Sequence, residues 1–171
     1  AEHKRADPQV TAEGITLFTA TIRRPPPDTL DQRINSHSKL HEVIALIQAT
    51  HAGADEALML DTTGAVATCN ATNFFIVRAG GLWTSTGHYS LRGITRDVIL
   101  EAAAAAGIPT HERPFSLTDV YTADEAFLTS STRDVSPISA IDEVELPAVP
   151  GPVTAGLMAA FADLVARTTD P

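Results

Sequence analysis

Cysteine and lysine are nearly missing from this chain of 171 residues: one cysteine, Cys69, and two lysines, Lys4 and Lys39. A single thiol excludes an intrachain disulfide framework and suits a reducing, cytoplasmic setting. No apolar run approaches the ~18 residues of a membrane span, so no membrane partner is expected. Residues 1–5 lack the apolar core of a signal peptide. Positive charge is short as well. The formal net charge is −9 and the basic residues are scattered, which leaves no basic face for a nucleic-acid backbone. A small anionic ligand remains compatible, because a site needs local rather than net charge. Internal repeats and low-complexity tracts are absent.

What is present describes one globular domain, with 44% hydrophobic and 19% charged residues. Residues 15–22 alternate β-formers and read as a strand, which Pro25-Pro26-Pro27 stops. A helix follows over 38–51, with Leu40, Val43, Ile44 and Ile47 as its apolar stripe and Gly53 past its end. Short β segments at 57–60, 65–68 and 74–78 come next, the first two joined by the turn composition Asp61-Thr62-Thr63-Gly64. Gly80-Gly81 turns the chain into a strand at 82–84. A helix over 94–106, a strand at 110–113, a short helix at 117–121 and a buried strand at 126–129 complete the middle. Pro147, Pro150 and Pro152 punctuate a loop before a last helix over 153–166. Hairpins mixed with separated helices give an α/β (α+β) class with a mixed sheet.

Chemistry concentrates where Gly93 and Thr95 open the helix at Ile94. Free N–H groups and the positive end of the helix dipole make such a start a site for phosphate. His37 and His41 stand four apart, but Ser38-Lys39-Leu40 between them lacks the metalloprotease glutamate and places a cation nearby, so no metal site is expected. Cys69 reads either as a nucleophile with a histidine base or as a buried, inert thiol. Asp124-Glu125 reads either as an acid/base pair or as the approach to a buried strand.

In order along the chain stand Gly53-Ala54-Asp55-Glu56-Ala57-Leu58, Asp61 and Gly64, then Asn73-Phe74-Phe75-Ile76-Val77, then Leu82 and Thr84. Leu91-Arg92-Gly93-Ile94-Thr95-Arg96, Asp124-Glu125-Ala126-Phe127 and Thr129-Ser130-Ser131-Thr132 follow. Over about residues 33–141 the set resembles the large C-terminal domain of the class IV (fold-type IV) pyridoxal-phosphate aminotransferases. That family comprises branched-chain aminotransferase, D-amino acid aminotransferase and aminodeoxychorismate lyase. The resemblance implies the D-amino acid aminotransferase-like fold. Residues 31–171 form its large domain, and 1–30 form a linker and the trailing end of a small N-terminal domain. It implies pyridoxal 5'-phosphate as cofactor, an amino acid or 2-oxo acid as substrate, and a homodimer.

Carried over residue by residue, the resemblance puts the cofactor phosphate on Ile94, Thr95, Ser130 and Ser131 and the ring against Leu91. Asn70 and Thr72 flank the pocket. Two positions depart from the family. Asn35 stands where the family has the lysine that links covalently to the cofactor and moves the substrate proton, and an amide does neither. Thr68 stands where a glutamate keeps the pyridine nitrogen protonated. Lys39, one helical turn on, is the only candidate amine near the site. The expected function is a class IV aminotransferase homologue, branched-chain-like and catalytically altered. The alternatives are a non-catalytic small-molecule or cofactor-pocket binding homologue and an aminodeoxychorismate lyase-like enzyme.

Overall fold

The computed structural model describes residues 12–169, so residues 1–11 of the expected linker and trailing domain end lie outside the described residues. Alternation decides the layers. In β4 (Asn73–Arg78) Phe74 and Ile76 enter one apolar cluster, while Phe75 and Val77 enter another on the opposite face. β7 (Glu125–Ser130), its antiparallel neighbour, divides the same way: Ala126 and Leu128 join the first cluster and Phe127 the second. Phe75 and Phe127 are register partners whose rings stack with centroids 4.9 Å apart. A strand buried on both faces reads as a continuous apolar run, which is how 74–77 appears in the sequence.

Among the described residues the sheet has nine strands. β1 is Ile15–Thr19, β2 Glu56–Leu60, β3 Val66–Cys69, β5 Gly81–Thr84, β6 Thr110–Glu112, β8 Asp134–Ile141 and β9 Val144–Glu145. They run in the order β3-β2-β1-β8-β7-β4-β5-β6, with β9 on β8. The pairs β1–β2, β1–β8 and β5–β6 are parallel and the rest antiparallel, so the expected mixed sheet is present. The helices are α1 (Leu40–His51), α2 (Ile94–Ala105), α3 (Leu117–Tyr121) and α4 (Pro152–Thr169). Ile99 and Ala103 of α2 and Leu157 of α4 cover the second cluster. Among the described residues no helix is long and apolar enough to cross a membrane.

Two features differ from the sequence pattern. No strand is legible over 134–141, where Ser136, Pro137 and Ser139 interrupt the apolar residues, yet β8 is a central strand between β1 and β7. Its pairing to β1 shifts register beside Ile138, one residue past the proline, and such irregularities are where a strand tolerates proline. The stripe on α1 keeps its helical period but faces outward. Leu40, Val43, Ile44 and Ile47 are exposed, whereas Ala45 and Ala49 are buried against Ala57 and Met59 of β2. Alanines four apart let the helix lie close on the sheet, and the larger side chains turn away from that contact.

Asp124 and Glu125 resolve as structural. Asp124 accepts the Ala79 N–H, and the buried Glu125 carboxylate accepts the N–H groups of Val153 at 3.1 Å and Thr154 at 2.7 Å at the start of α4. A β-carbon at Gly151 would fall 2.1 Å from Glu125 Cδ. Gly151→Ala should therefore lower stability by about 1–3 kcal/mol in urea unfolding, as overpacking does. An unchanged midpoint would show that Glu125 does not clamp α4.

Candidate functional site

One cleft of about 160 Å³ gathers most of the residues singled out in the sequence. The segment entering α1 contributes Asn35, Ser36, Ser38 and Lys39, and the β3–β4 turn contributes Thr68, Asn70, Thr72 and Asn73. Leu91 and Gly93 come from the approach to α2, and Thr129, Ser130 and Ser131 from the end of β7. Arg24, Gln32 and Glu42 also line it. Segments far apart in sequence meet here because β3, β4 and β7 all reach this place.

The turn before α2 is built around Asn73. Its Nδ2 donates to the Leu91 carbonyl at 2.9 Å, and its Oδ1 accepts the Gly93 N–H at 3.2 Å. A β-carbon at Gly93 would lie 2.5 Å from that Oδ1, which is why the position is glycine. Gly93 is the N-cap of α2 and offers no side-chain cap. The first helical bond runs from Asp97 N–H to the Gly93 carbonyl, so the N–H groups of Ile94, Thr95 and Arg96 are left for partners outside the helix. Ile94 and Thr95 themselves are not among the cleft-lining residues: the Ile94 side chain is exposed and that of Thr95 buried. What they can offer an anion is backbone N–H, not side chain.

Opposite stands the hydroxyl cluster. Ser130 Oγ accepts the N–H groups of Arg133 at 3.0 Å and Thr132 at 3.4 Å and lies 3.3 Å from Thr132 Oγ1, where either hydroxyl can donate. Thr129 is 1% exposed, and its Oγ1 has no hydrogen-bond partner among the described residues. A buried, cleft-lining hydroxyl without a partner marks a place for a ligand acceptor or donor. In the sequence Thr129 stands only as a member of the hydroxyl run, without a role. Asn73 is likewise visible there and carries no assignment to the cleft, whereas Gly93 is read there as the opening of the phosphate site.

Charge enters from beneath. The Arg24 guanidinium is buried and donates to Glu42 Oε1 at 2.6 Å, Gln32 Oε1 at 3.0 Å and the Cys69 carbonyl at 2.6 Å. Burial pushes its pKa down, opposed by the Glu42 charge. Arg24 Nε has no partner among the described residues. Glu42 also faces Lys39, with Nζ to Oε2 at 3.3 Å, and Lys39 is half exposed. His41 reaches Gln32 Oε1 at 3.1 Å, and its pKa is lowered by burial and then by the Arg24 charge. His37 is exposed, and among the described residues no three His, Cys, Asp or Glu side chains converge as metal donors. Thr68 donates its hydroxyl to the Thr72 carbonyl at 2.7 Å, so toward the cleft it offers lone pairs. Cys69 is buried, and burial lifts its thiol well above the usual range, which opposes a nucleophilic role.

Glu56 is a further working residue whose role is not legible in the sequence. Buried, it accepts Thr72 Oγ1 at 2.7 Å and Ala71 N–H at 3.3 Å through Oε1, and it meets Arg133 NH1 at 3.2 Å through Oε2. It therefore ties the β3–β4 turn to the chain just past the hydroxyl cluster. Burial lifts its carboxyl above the ordinary value of 4.5. A folded pKa above the unfolded one means that its contribution to stability is full below the unfolded value and is lost as pH rises through the folded one. Relative to Glu56→Gln, which does not titrate, the wild type should lose stability as pH rises from about 4.5 toward neutrality. Parallel stability curves over that range would contradict this.

The residues fit a pyridine phosphate in three respects. An uncapped helix start with Ser130 and Ser131 opposite suits a phosphate, Leu91 offers an apolar surface to a ring, and Thr129 keeps an unused buried hydroxyl. They do not fit covalent attachment at position 35, where Asn35 lines the cleft in place of an amine.

The sequence model for "Amino-transferase class IV" matches residues 1–141. The branched-chain-amino-acid aminotransferase of Pseudomonas aeruginosa is 37% identical over 160 residues, 92% of this chain and 52% of that protein. A D-alanine aminotransferase of Listeria monocytogenes is 38% identical over 136 residues, 78% of this chain and 47% of that protein. The crystal structure of the branched-chain amino acid aminotransferase from Thermobaculum terrenum in its PLP (holo) form superposes with a TM-score of 0.88 at 30% identity, covering 94% of this chain and 54% of that one. The chain thus spans about half the length of the curated relatives it matches.

Proposed function

This chain belongs to the class IV aminotransferase family, and on that premise we propose that it forms the cofactor-holding part of a homologue that binds pyridoxal 5'-phosphate and an amino or 2-oxo acid. Its chemistry is altered from that of an ordinary transaminase. The observation that carries this reading is the cleft itself, in which an uncapped helix start, Ser130, Ser131 and the unpartnered Thr129 hydroxyl face one another across space for a small phosphate. When bound, the cofactor supplies the carbonyl and the electron-withdrawing ring on which amino groups are exchanged.

The chain's own residues hold rather than react. The Gly93 turn and the two serines orient the phosphate, Leu91 supports a ring face, and Thr68 presents a neutral hydroxyl where a carboxylate would raise ring basicity. Asn35 can accept or donate a hydrogen bond but cannot carry the proton that an amine would move. Lys39 lines the same cleft with its charge directed at Glu42. The test mixes the full chain with pyridoxal 5'-phosphate and leucine and follows pyridoxamine 5'-phosphate by chromatography. Slow accumulation above the protein-free control is expected, below the median enzyme turnover of about 10 per second. Cofactor binding without accumulation would favour the second reading, a non-catalytic pocket, which the paired replacements Asn35 and Thr68 support.

The homodimer is also our proposal. The exposed Leu40, Val43, Ile44 and Ile47 face on α1 adjoins Lys39 and the cleft, and a contiguous apolar face of this kind is what a second copy would cover. Sedimentation should give a dimer for the wild type and a monomer for Val43→Asp/Ile47→Asp. A monomeric wild type would contradict it. A reduced, cytoplasmic setting suits a chain whose only cysteine is a buried free thiol.

A further inference from the structure

Three groups of the cleft bear on how a ligand is held. The buried Thr129 Oγ1 and the buried Arg24 Nε have no hydrogen-bond partner among the described residues, and the exposed Asn35 amide lines the same cleft. None of the three is a nucleophile toward a carbonyl. The one amine lining the cleft, on Lys39, is paired with Glu42 at 3.3 Å, and Glu42 is held from its other oxygen by Arg24 at 2.6 Å. Drawing Lys39 inward would break its ion pair with Glu42 and bring an ammonium toward the buried Arg24 guanidinium, which repels it. An ammonium does not add to a carbonyl.

Resting on the reading of this cleft as a pyridine-phosphate site, we propose that it holds its ligand by non-covalent contacts alone. On this proposal the cleft accepts the amine and the alcohol at the ligand's C4' position as readily as the aldehyde. Asn35, the side chain expected beside that position, is a neutral amide that reacts with none of these forms, and the charges of Lys39, Glu42 and Arg24 are paired with one another. Asn35 supplies both a carbonyl oxygen and an NH₂, so it can receive an ammonium, a hydroxyl or a carbonyl with a hydrogen bond of the right polarity. Binding strength then resides in what the three ligands share, the phosphate against the α2 start, Ser130, Ser131 and Thr129 and the ring against Leu91. The ligand class is a pyridine 5'-phosphate with an unspecified one-carbon substituent, exchangeable on dilution.

The experiment titrates the full chain separately with pyridoxal 5'-phosphate, pyridoxamine 5'-phosphate, pyridoxine 5'-phosphate and inorganic phosphate. The pyridoxal sample is then reduced with borohydride and mapped by mass spectrometry. The three pyridine phosphates should bind within about fivefold of one another and at least about tenfold tighter than inorganic phosphate. No pyridoxyl label should appear on Lys39. An aldehyde form more than about fivefold tighter than the other two, or a label on Lys39, overturns the proposal while the site reading stands. Binding of all three no tighter than inorganic phosphate overturns the site reading and the proposal with it. Thr129→Val, which removes only an unpartnered hydroxyl, should unfold no earlier than the wild type. It should weaken all three ligands equally, by about tenfold. Unchanged affinity would remove Thr129 from the site, and a loss confined to one ligand would contradict the shared phosphate anchor.

Discussion

Replacing Asn35 with lysine should convert a reversible site into a covalent one. The full-length Asn35→Lys variant, incubated with pyridoxal 5'-phosphate and reduced with borohydride, should carry a pyridoxyl label at position 35. Its affinity for the aldehyde form should rise by at least about tenfold, while that for pyridoxine 5'-phosphate stays as it was. Asn35 is exposed and lines the cleft, so the substitution disturbs no packing. The new amine would stand outside the Lys39–Glu42 pair. The effect is large because a covalent bond is added where none of the present contacts discriminates. No label at position 35 under saturating aldehyde would show that this position does not face the ligand's carbonyl, and the alignment behind Asn35 would be wrong.

Adding a single methyl group at Gly93 should undo the phosphate site from the other side. The β-carbon of Gly93→Ala would sit 2.5 Å from Asn73 Oδ1, inside any tolerable contact. Asn73 would have to turn away and release both the Gly93 N–H and the Leu91 carbonyl that it now bridges. The turn that starts α2 at the edge of the cleft would then relax. Stability should fall by about 1–3 kcal/mol, and affinity for all pyridine phosphates by at least about tenfold. Asn73→Ala loses the same two bonds without the clash, so it should weaken binding comparably with a smaller effect on stability. A Gly93→Ala protein that binds as tightly as the wild type would show that the phosphate sits elsewhere.

Much of this site is legible in the sequence because it is local. Gly93 followed by a helix, and a run of hydroxyls after a buried strand, signal an anion site from residues adjacent in the chain. The helix positions hold to within a few residues for the same reason. What escapes is what depends on distant partners. β8 is hidden by Pro137 and two serines, whose turn-like composition is overridden by neighbours on both edges, β1 and β7. The direction of the α1 stripe is hidden because periodicity gives a face and not its destination. Ala45 and Ala49 take the sheet only because Ala57 and Met59 leave room there. Ile94 and Thr95 are read in the sequence as the free N–H groups of a helix start, and their side chains, one exposed and one buried, do not line the cleft. Asn73, Glu56 and Arg24 escape as working parts because their roles lie in bonds spanning 8 to 77 residues.

That this cleft seats a pyridine 5'-phosphate without a covalent bond is tested most directly by a crystal structure of the full chain with pyridoxamine 5'-phosphate. The phosphate should lie within hydrogen-bonding distance of the Gly93 turn and of Ser130 and Ser131. The ring should rest against Leu91, with the amine facing Asn35. Ligand bound outside the cleft, or a cleft that stays without ligand at saturating concentration, would contradict it.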